Sequence, residues 1–243
     1  MSVSLDTWTL IQATMNLVNE ALQKSEKYSY YMLLSASDYP IKPMYYINNF
    51  LDGNYPRSFI DVTPIDQSNW VWKKFDHFRW IRINNMINSH VKSAIIKKIV
   101  KLPVRLSERV MDLLGHVPYK KTKYSLYGGS AWWVISDMAM KYIADEYNVN
   151  GKEIRNLSHS ITPEETFFQT MIMNSPYGKE LAINPVNQRT QNCLTYAYFT
   201  DDYFGDGDKP FNGHPYIFTI DDFFMLKDMD DRMFARKIDQ NIG

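Results

Sequence analysis

Cysteine is nearly absent. The 243-residue chain has one, Cys193, so no internal disulfide can form. Long hydrophobic runs are missing too. No stretch approaches the roughly 18 apolar residues that a membrane-spanning helix requires. The N-terminus lacks the basic-then-apolar pattern of a secretory leader. Neither sign of charge is in excess, with 27 Lys and Arg against 27 Asp and Glu. That balance removes the electrostatic footprint of a general nucleic-acid binder. The phosphate-cradling glycine loops, the G-x-G-x-x-G fingerprint and the G-x-S-x-G nucleophile elbow do not occur. His77, His90, His116, His159 and His214 have no zinc-ligand spacing and no thiol partner.

What is present is an ordinary globular composition, 45% hydrophobic and 22% charged. The length suits one domain over residues 1–243 with a sizeable core. Aromatics reach 15% of residues. Most suit a core, and clefts that stack sugar rings also use aromatic faces. Leu10, Ala13, Leu17, Val18, Ala21 and Leu22 predict one buried helix face, with Asp6 or Thr7 as N-cap. Tyr28 to Ser35 is short and apolar and predicts a buried strand, followed by a loop over Asp38 to Lys42. A helix from Met44 to Leu51 and a strand from Arg57 to Asp61 are expected next. A strand over Tyr124–Tyr127 is expected to break at Gly128-Gly129, ahead of a buried helix over Trp132–Tyr147. Strands alternating with helices indicate an α/β fold, whose ligands sit beyond strand C-termini. The loop after Ser35 is thus a candidate wall of a site.

Four segments are candidates for chemistry. Thr162-Pro163-Glu164-Glu165 has the pattern of a capping box opening a helix. The alternative, compatible with a cap, is that one of its carboxylates takes a proton from an attacking hydroxyl. Asp206-Gly207-Asp208 and Asp228-Met229-Asp230 match a metal-holding D-x-D string, although D-G-D among glycines and prolines also makes a turn. Arg236-Lys237 pairs two cations that suit a diphosphate. Lys92, Lys97, Lys98, Lys101, Arg105 and Arg109 form either a solvated helix face or a contact for an anionic surface. Cys193, beside Leu194, fits a buried small residue better than a nucleophile.

Taken in order, L-S-A-S-D-Y-P-I-K (34–42), G-S-A-W-W (129–133), P-E-E-T-F-F-Q-T (163–170) and F-A-R-K-I-D (234–239) resemble the core-2/I-branching β-1,6-N-acetylglucosaminyltransferases and the related protein xylosyltransferases. L-I-Q-A-T-M-N-L (10–17) joins them. The resemblance implies a GT-A-like α/β fold and an inverting transfer from a UDP-sugar to a glycan hydroxyl. It implies no metal cofactor. Carried over, Glu165 is the catalytic base, and Lys237 with Arg236 contacts the donor diphosphate. Asp38, Phe199 and Trp132 fall in the sugar or acceptor site. Pro215 stands where branching enzymes carry a second diphosphate-binding arginine, leaving Tyr216 as a substitute donor. Ala131 stands where xylosyltransferases carry an aspartate, which favours the branching type. The resemblance begins after the family's N-terminal nucleotide-binding βαβ portion, so a truncated domain is expected. UDP-N-acetylglucosamine is the expected donor, with UDP-xylose next. A non-catalytic glycan-binding homologue and a xylosyltransferase-like enzyme are the alternatives. A cytoplasmic setting with peripheral membrane contact through residues 92–109 and no transmembrane helix fits the lack of disulfides. No nucleic-acid partner is expected.

Overall fold

The computed structural model describes residues 8–65, 77–116, 122–159, 162–181, 192–198 and 215–239. In chain order its elements are α1 (Trp8–Gln23), β1 (Tyr30–Met32), β2 (Tyr39–Pro40), α2 (Met44–Asn54), β3 (Phe59–Ile60) and β4 (Thr63–Pro64). Then come α3 (Ile81–His90), α4 (Ala94–Leu113), β5 (Tyr127–Gly128), β6 (Trp133–Ser136), α5 (Asp137–Val149) and α6 (Gly151–Ile154). α7 (Phe167–Met173), β7 (Thr195–Ala197), α8 (Phe223–Lys227) and β8 (Phe234–Arg236) complete the order. The class is mixed α/β with small sheets, as the alternation predicts. Two compact units divide it, interleaved along the chain. The first takes Met1–Lys27, Asp61–Ala131 and Met138–Thr190, the second Tyr28–Ile60, Trp132–Asp137 and Gln191–Gly243.

The first unit is mostly helical. α1 buries Trp8, Ile11, Met15 and Val18, while Leu17 is 69% exposed. Of the predicted face, Leu10, Ala13, Leu17, Val18, Ala21 and Leu22, only Val18 is buried, so the buried stripe is rotated from it. The cause is Trp8, which packs edge-on against Phe167 at 5.7 Å and beside Tyr147 at 6.4 Å. Phe167 also meets Phe168 edge-on at 4.9 Å. Each such buried aromatic contributes about 1.5–3 kcal/mol of transfer free energy, with a further gain from the edge-to-face geometry. β4 and β5 form a two-stranded antiparallel ladder, Thr63 opposite Gly128. Gly128 thus lies inside the strand that it was expected to end.

The second unit is built on two three-stranded sheets. β6 lies between β1 and β3, antiparallel to both, with Tyr31 opposite Ile135 and Phe59 opposite Val134. All four residues of β6 are buried, as expected for a central strand covered on both faces. The single helix predicted over Trp132–Tyr147 is therefore a strand and then a helix. A run buried on every side has no period that separates the two forms. Ladder partners on both edges decide for strand. In the other sheet β8 lies between β2 and β7, antiparallel to β2 and parallel to β7. The predicted 38–42 loop consequently contains a short strand, with Pro40 on a sheet edge where its missing N–H costs little. Ile47, Leu51, Phe59, Val134, Leu194, Met233 and Phe234 form the core that ties α2 to these strands.

Candidate active site

The register of the β2–β8 pair sets the first cluster. Tyr39 lies opposite Ala235, so Asp38 and Arg236, one step outward on each strand, become neighbours. Arg236 Nε lies 3.4 Å from Asp38 Oδ1, and the Asp38 side chain is fully buried. Trp132, immediately before β6, donates its indole N–H to Asp38 Oδ2 at 2.6 Å. The Arg236 guanidinium sits over the Trp132 ring, 3.5 Å from its centroid. A cation over an indole face is an attractive arrangement, more so when desolvated. The Ser35 amide and hydroxyl also donate to Asp38, each at 2.7 Å. These bonds, with the Asp38 amide donating back to the Ser35 carbonyl at 3.1 Å, close a tight turn after β1. Burial pushes the Arg236 guanidinium below its ordinary value, and the Asp38 carboxylate opposes that shift. An aspartate, an arginine and a tryptophan drawn from three distant segments thus form one packed charge pair.

Asp38 also lines a cavity of about 450 Å³, together with Ser37, Tyr39, Thr219, Phe223 and Asp239. Lys237 follows Arg236 and is half-buried. Its carbonyl accepts from the Phe218 amide at 2.8 Å. Its ammonium has no hydrogen-bond or ion-pair partner among the described residues. Tyr216 turns its hydroxyl to Asp222 Oδ2 at 3.3 Å. That carboxylate raises the phenol above its ordinary value, and it opposes an anion beside Tyr216. Cys193 is buried; its thiol donates to the Trp132 carbonyl at 3.4 Å. Phe199, Asp206, Asp208 and His214 lie outside the described residues. Asp228 and Asp230 are exposed. Among the described residues no group of three or more His, Cys, Asp or Glu is arranged to hold a metal.

Glu165 belongs to the first unit and is positioned differently. Thr162 takes a left-handed backbone, φ 50°, and its side chain makes no capping bond. The capping box predicted there does not form. Instead Pro163–Glu165 is a single 3-10 turn, closed by Glu165 N–H to the Thr162 carbonyl at 3.1 Å. A left-handed Thr removes the extended geometry that an N-cap needs. The Gly129 amide donates to the Glu165 carbonyl at 2.9 Å. Gln169 Nε2 donates to the Ser130 carbonyl at 2.6 Å. Thr170 Oγ1 bonds both the Tyr127 carbonyl and the Tyr127 amide, each at 3.1 Å. Segments 127–130 and 165–170 are thus laced together, and the half-buried Glu165 side chain stands at one end of the lacing. Gly129 makes this possible, because a Cβ there would lie 1.9 Å from the Asp61 carbonyl oxygen. In the sequence Gly129 is a strand breaker and the first residue of G-S-A-W-W; its spacing from Glu165 carries no signal of the shared hydrogen bond.

The sequence model for the core-2/I-branching enzymes matches residues 1–223. The chain belongs to the core-2/I-branching enzyme family. This family consists of glycosyltransferases of the acetylglucosaminyltransferase type, and this member is accordingly an enzyme. No curated protein matches it. In this branching-family chain the match takes in Asp38, Trp132 and Glu165 and stops short of Arg236 and Lys237. Contact with Asp38 and Trp132 joins Arg236 to the matched part.

Proposed function

We propose that the chain is an inverting, GT-A-like transferase that moves N-acetylglucosamine from its UDP donor to a glycan hydroxyl. The observation that carries this reading is the convergence of Asp38, Trp132 and Arg236 beside a 450 Å³ cavity, within a branching-family chain. Glu165 is the general base. Its carboxylate takes the proton of the acceptor hydroxyl as that oxygen bonds to the anomeric carbon. The bond from that carbon to the diphosphate oxygen breaks, and UDP leaves with the electron pair. One displacement inverts the anomeric centre.

Lys237 supplies the cation for the departing diphosphate, because its ammonium is not committed elsewhere among the described residues. Arg236 adds positive potential and, held by Asp38, fixes the strand end that carries Lys237. Trp132 gives the sugar site an aromatic wall, and Phe199 a second. Two cations do here what a divalent metal does in other transferases, so no metal is needed. The test is the anomeric configuration of the product made from α-linked UDP-N-acetylglucosamine and a panel of oligosaccharides, read by proton NMR. A β-linked product is expected. An α-linked product, or no product from any acceptor by folded protein, overturns the reading.

A further inference from the structure

α4 has two sides of unlike chemistry. Its acids point inward. Glu108, buried, accepts from the Trp80 amide at 2.8 Å and from Asn84 Nδ2 at 2.8 Å. Asp112 accepts from the Phe78 amide at 2.6 Å and contacts His77 Nδ1 at 2.9 Å. Both carboxylates are thus committed around the N-terminal end of α3, where backbone N–H groups and the helix dipole favour negative charge. The opposite side is apolar and open. Ile95 is 73% exposed, Ile99 64%, Leu102 57%, Leu106 52% and Leu113 87%. At 3.6 residues per turn these five share one stripe. Lys98, Arg105 and Arg109 fall along one edge of that stripe, and all three are exposed. Residues 81–114 hold seven Lys and Arg against two acids, in a chain that is neutral as a whole.

We infer that α4 is a membrane-surface helix. Its Ile95–Leu113 stripe enters the headgroup–acyl boundary of an anionic bilayer, and Lys98, Arg105 and Arg109 meet the lipid charges. Such a helix lies in the interface plane with its apolar side down and its cations at headgroup level. Its cations rule out a spanning role, and no helix among the described residues is long and apolar enough to cross a membrane. Charge selects lipid over a second copy of the chain. A copy laid on the same stripe brings the same cationic edge, while the acids of α4 that might balance it are committed inward.

The test is sedimentation of the full chain with phosphatidylcholine vesicles, with and without phosphatidylserine, at low and raised salt. Binding is expected only with phosphatidylserine and should fall as salt rises. Two variants sharpen it. Lys98→Glu with Arg105→Glu and Arg109→Glu should weaken binding about a hundredfold, at about fivefold per cation. Ile99→Ser with Leu106→Ser should weaken it at least about tenfold while leaving the thermal midpoint in place. The inference is overturned by absence of binding at low salt or by binding that both variants leave intact. It is equally overturned by a dimer in solution that the Ile99→Ser/Leu106→Ser variant dissolves, which makes the stripe a protein interface.

Discussion

The two units hold their functional candidates in opposite ways. Around Glu165 the side chains bond to backbone. Gln169 and Thr170 donate to the carbonyls of Ser130 and Tyr127, and Gly129 bonds the carbonyl of Glu165 itself. Around Asp38 the side chains bond to one another, as carboxylate, guanidinium and indole. The first arrangement fixes the place of Glu165 through bonds to backbone. The second pairs Arg236 with Asp38, while the ammonium of the next residue, Lys237, has no partner among the described residues. Adjacent motif residues thus differ in setting: Arg236 is held in a charge pair, and Lys237 has no such partner among the described residues.

The largest expected effect sharpens the role of the first region. Glu165→Gln should lower turnover by about 10²–10⁴-fold with acceptor binding and the thermal midpoint unchanged. A variant that keeps more than a tenth of wild-type turnover removes Glu165 from the base role. Gly129→Ala strikes the lacing instead. Its Cβ has no room against Asp61, so a loss of about 1–3 kcal/mol in unfolding free energy is expected, measured by denaturant titration. An unchanged midpoint would show that the backbone relaxes there without cost.

The second region is tested by a double-mutant cycle on unfolding. Asp38→Asn keeps an acceptor for Trp132 but leaves Arg236, 13% exposed, without its counter-charge. Each of Asp38→Asn and Arg236→Met should cost about 1–3 kcal/mol, and the pair less than the sum. Strict additivity would mean that the two side chains do not sense each other. The smallest effect serves as a control away from both clusters. His159 stacks on Phe78, ring centroids 4.1 Å apart, and burial lowers its pKa below the ordinary 6.5. The unfolded chain then binds more protons below that value, so stability contributed by neutral His159 is present above pH 6.5 and lost on acidification below it. His159→Phe should flatten the stability profile between pH 7 and about pH 5; an unchanged slope contradicts that cause.

Much of this was legible in the sequence, for identifiable reasons. Tyr30–Met32 and Phe59–Ile60 fall within their predicted strand spans, because short apolar runs between turn residues specify strands well, and the helix Met44–Asn54 starts where it is predicted. Cys193 is buried, as its apolar neighbour suggests. What was not readable depends on partners far away in sequence. The fully buried β6 has no period of its own, and the face of α1 is chosen by Phe167. The left-handed Thr162 follows from no local rule, and a threonine before Pro-Glu-Glu reads as a cap until its backbone is known. The pairing of Asp38 with Arg236 needs the β2–β8 register, which two residues of strand at one end and three at the other cannot announce.

The most direct measurement is calorimetric titration of UDP into the full chain with chelator present. The account predicts binding that persists in chelator, is unchanged in Glu165→Gln, and weakens about tenfold, or ~1.4 kcal/mol, in Lys237→Ala. A folded chain that binds no UDP contradicts the transferase reading at its root.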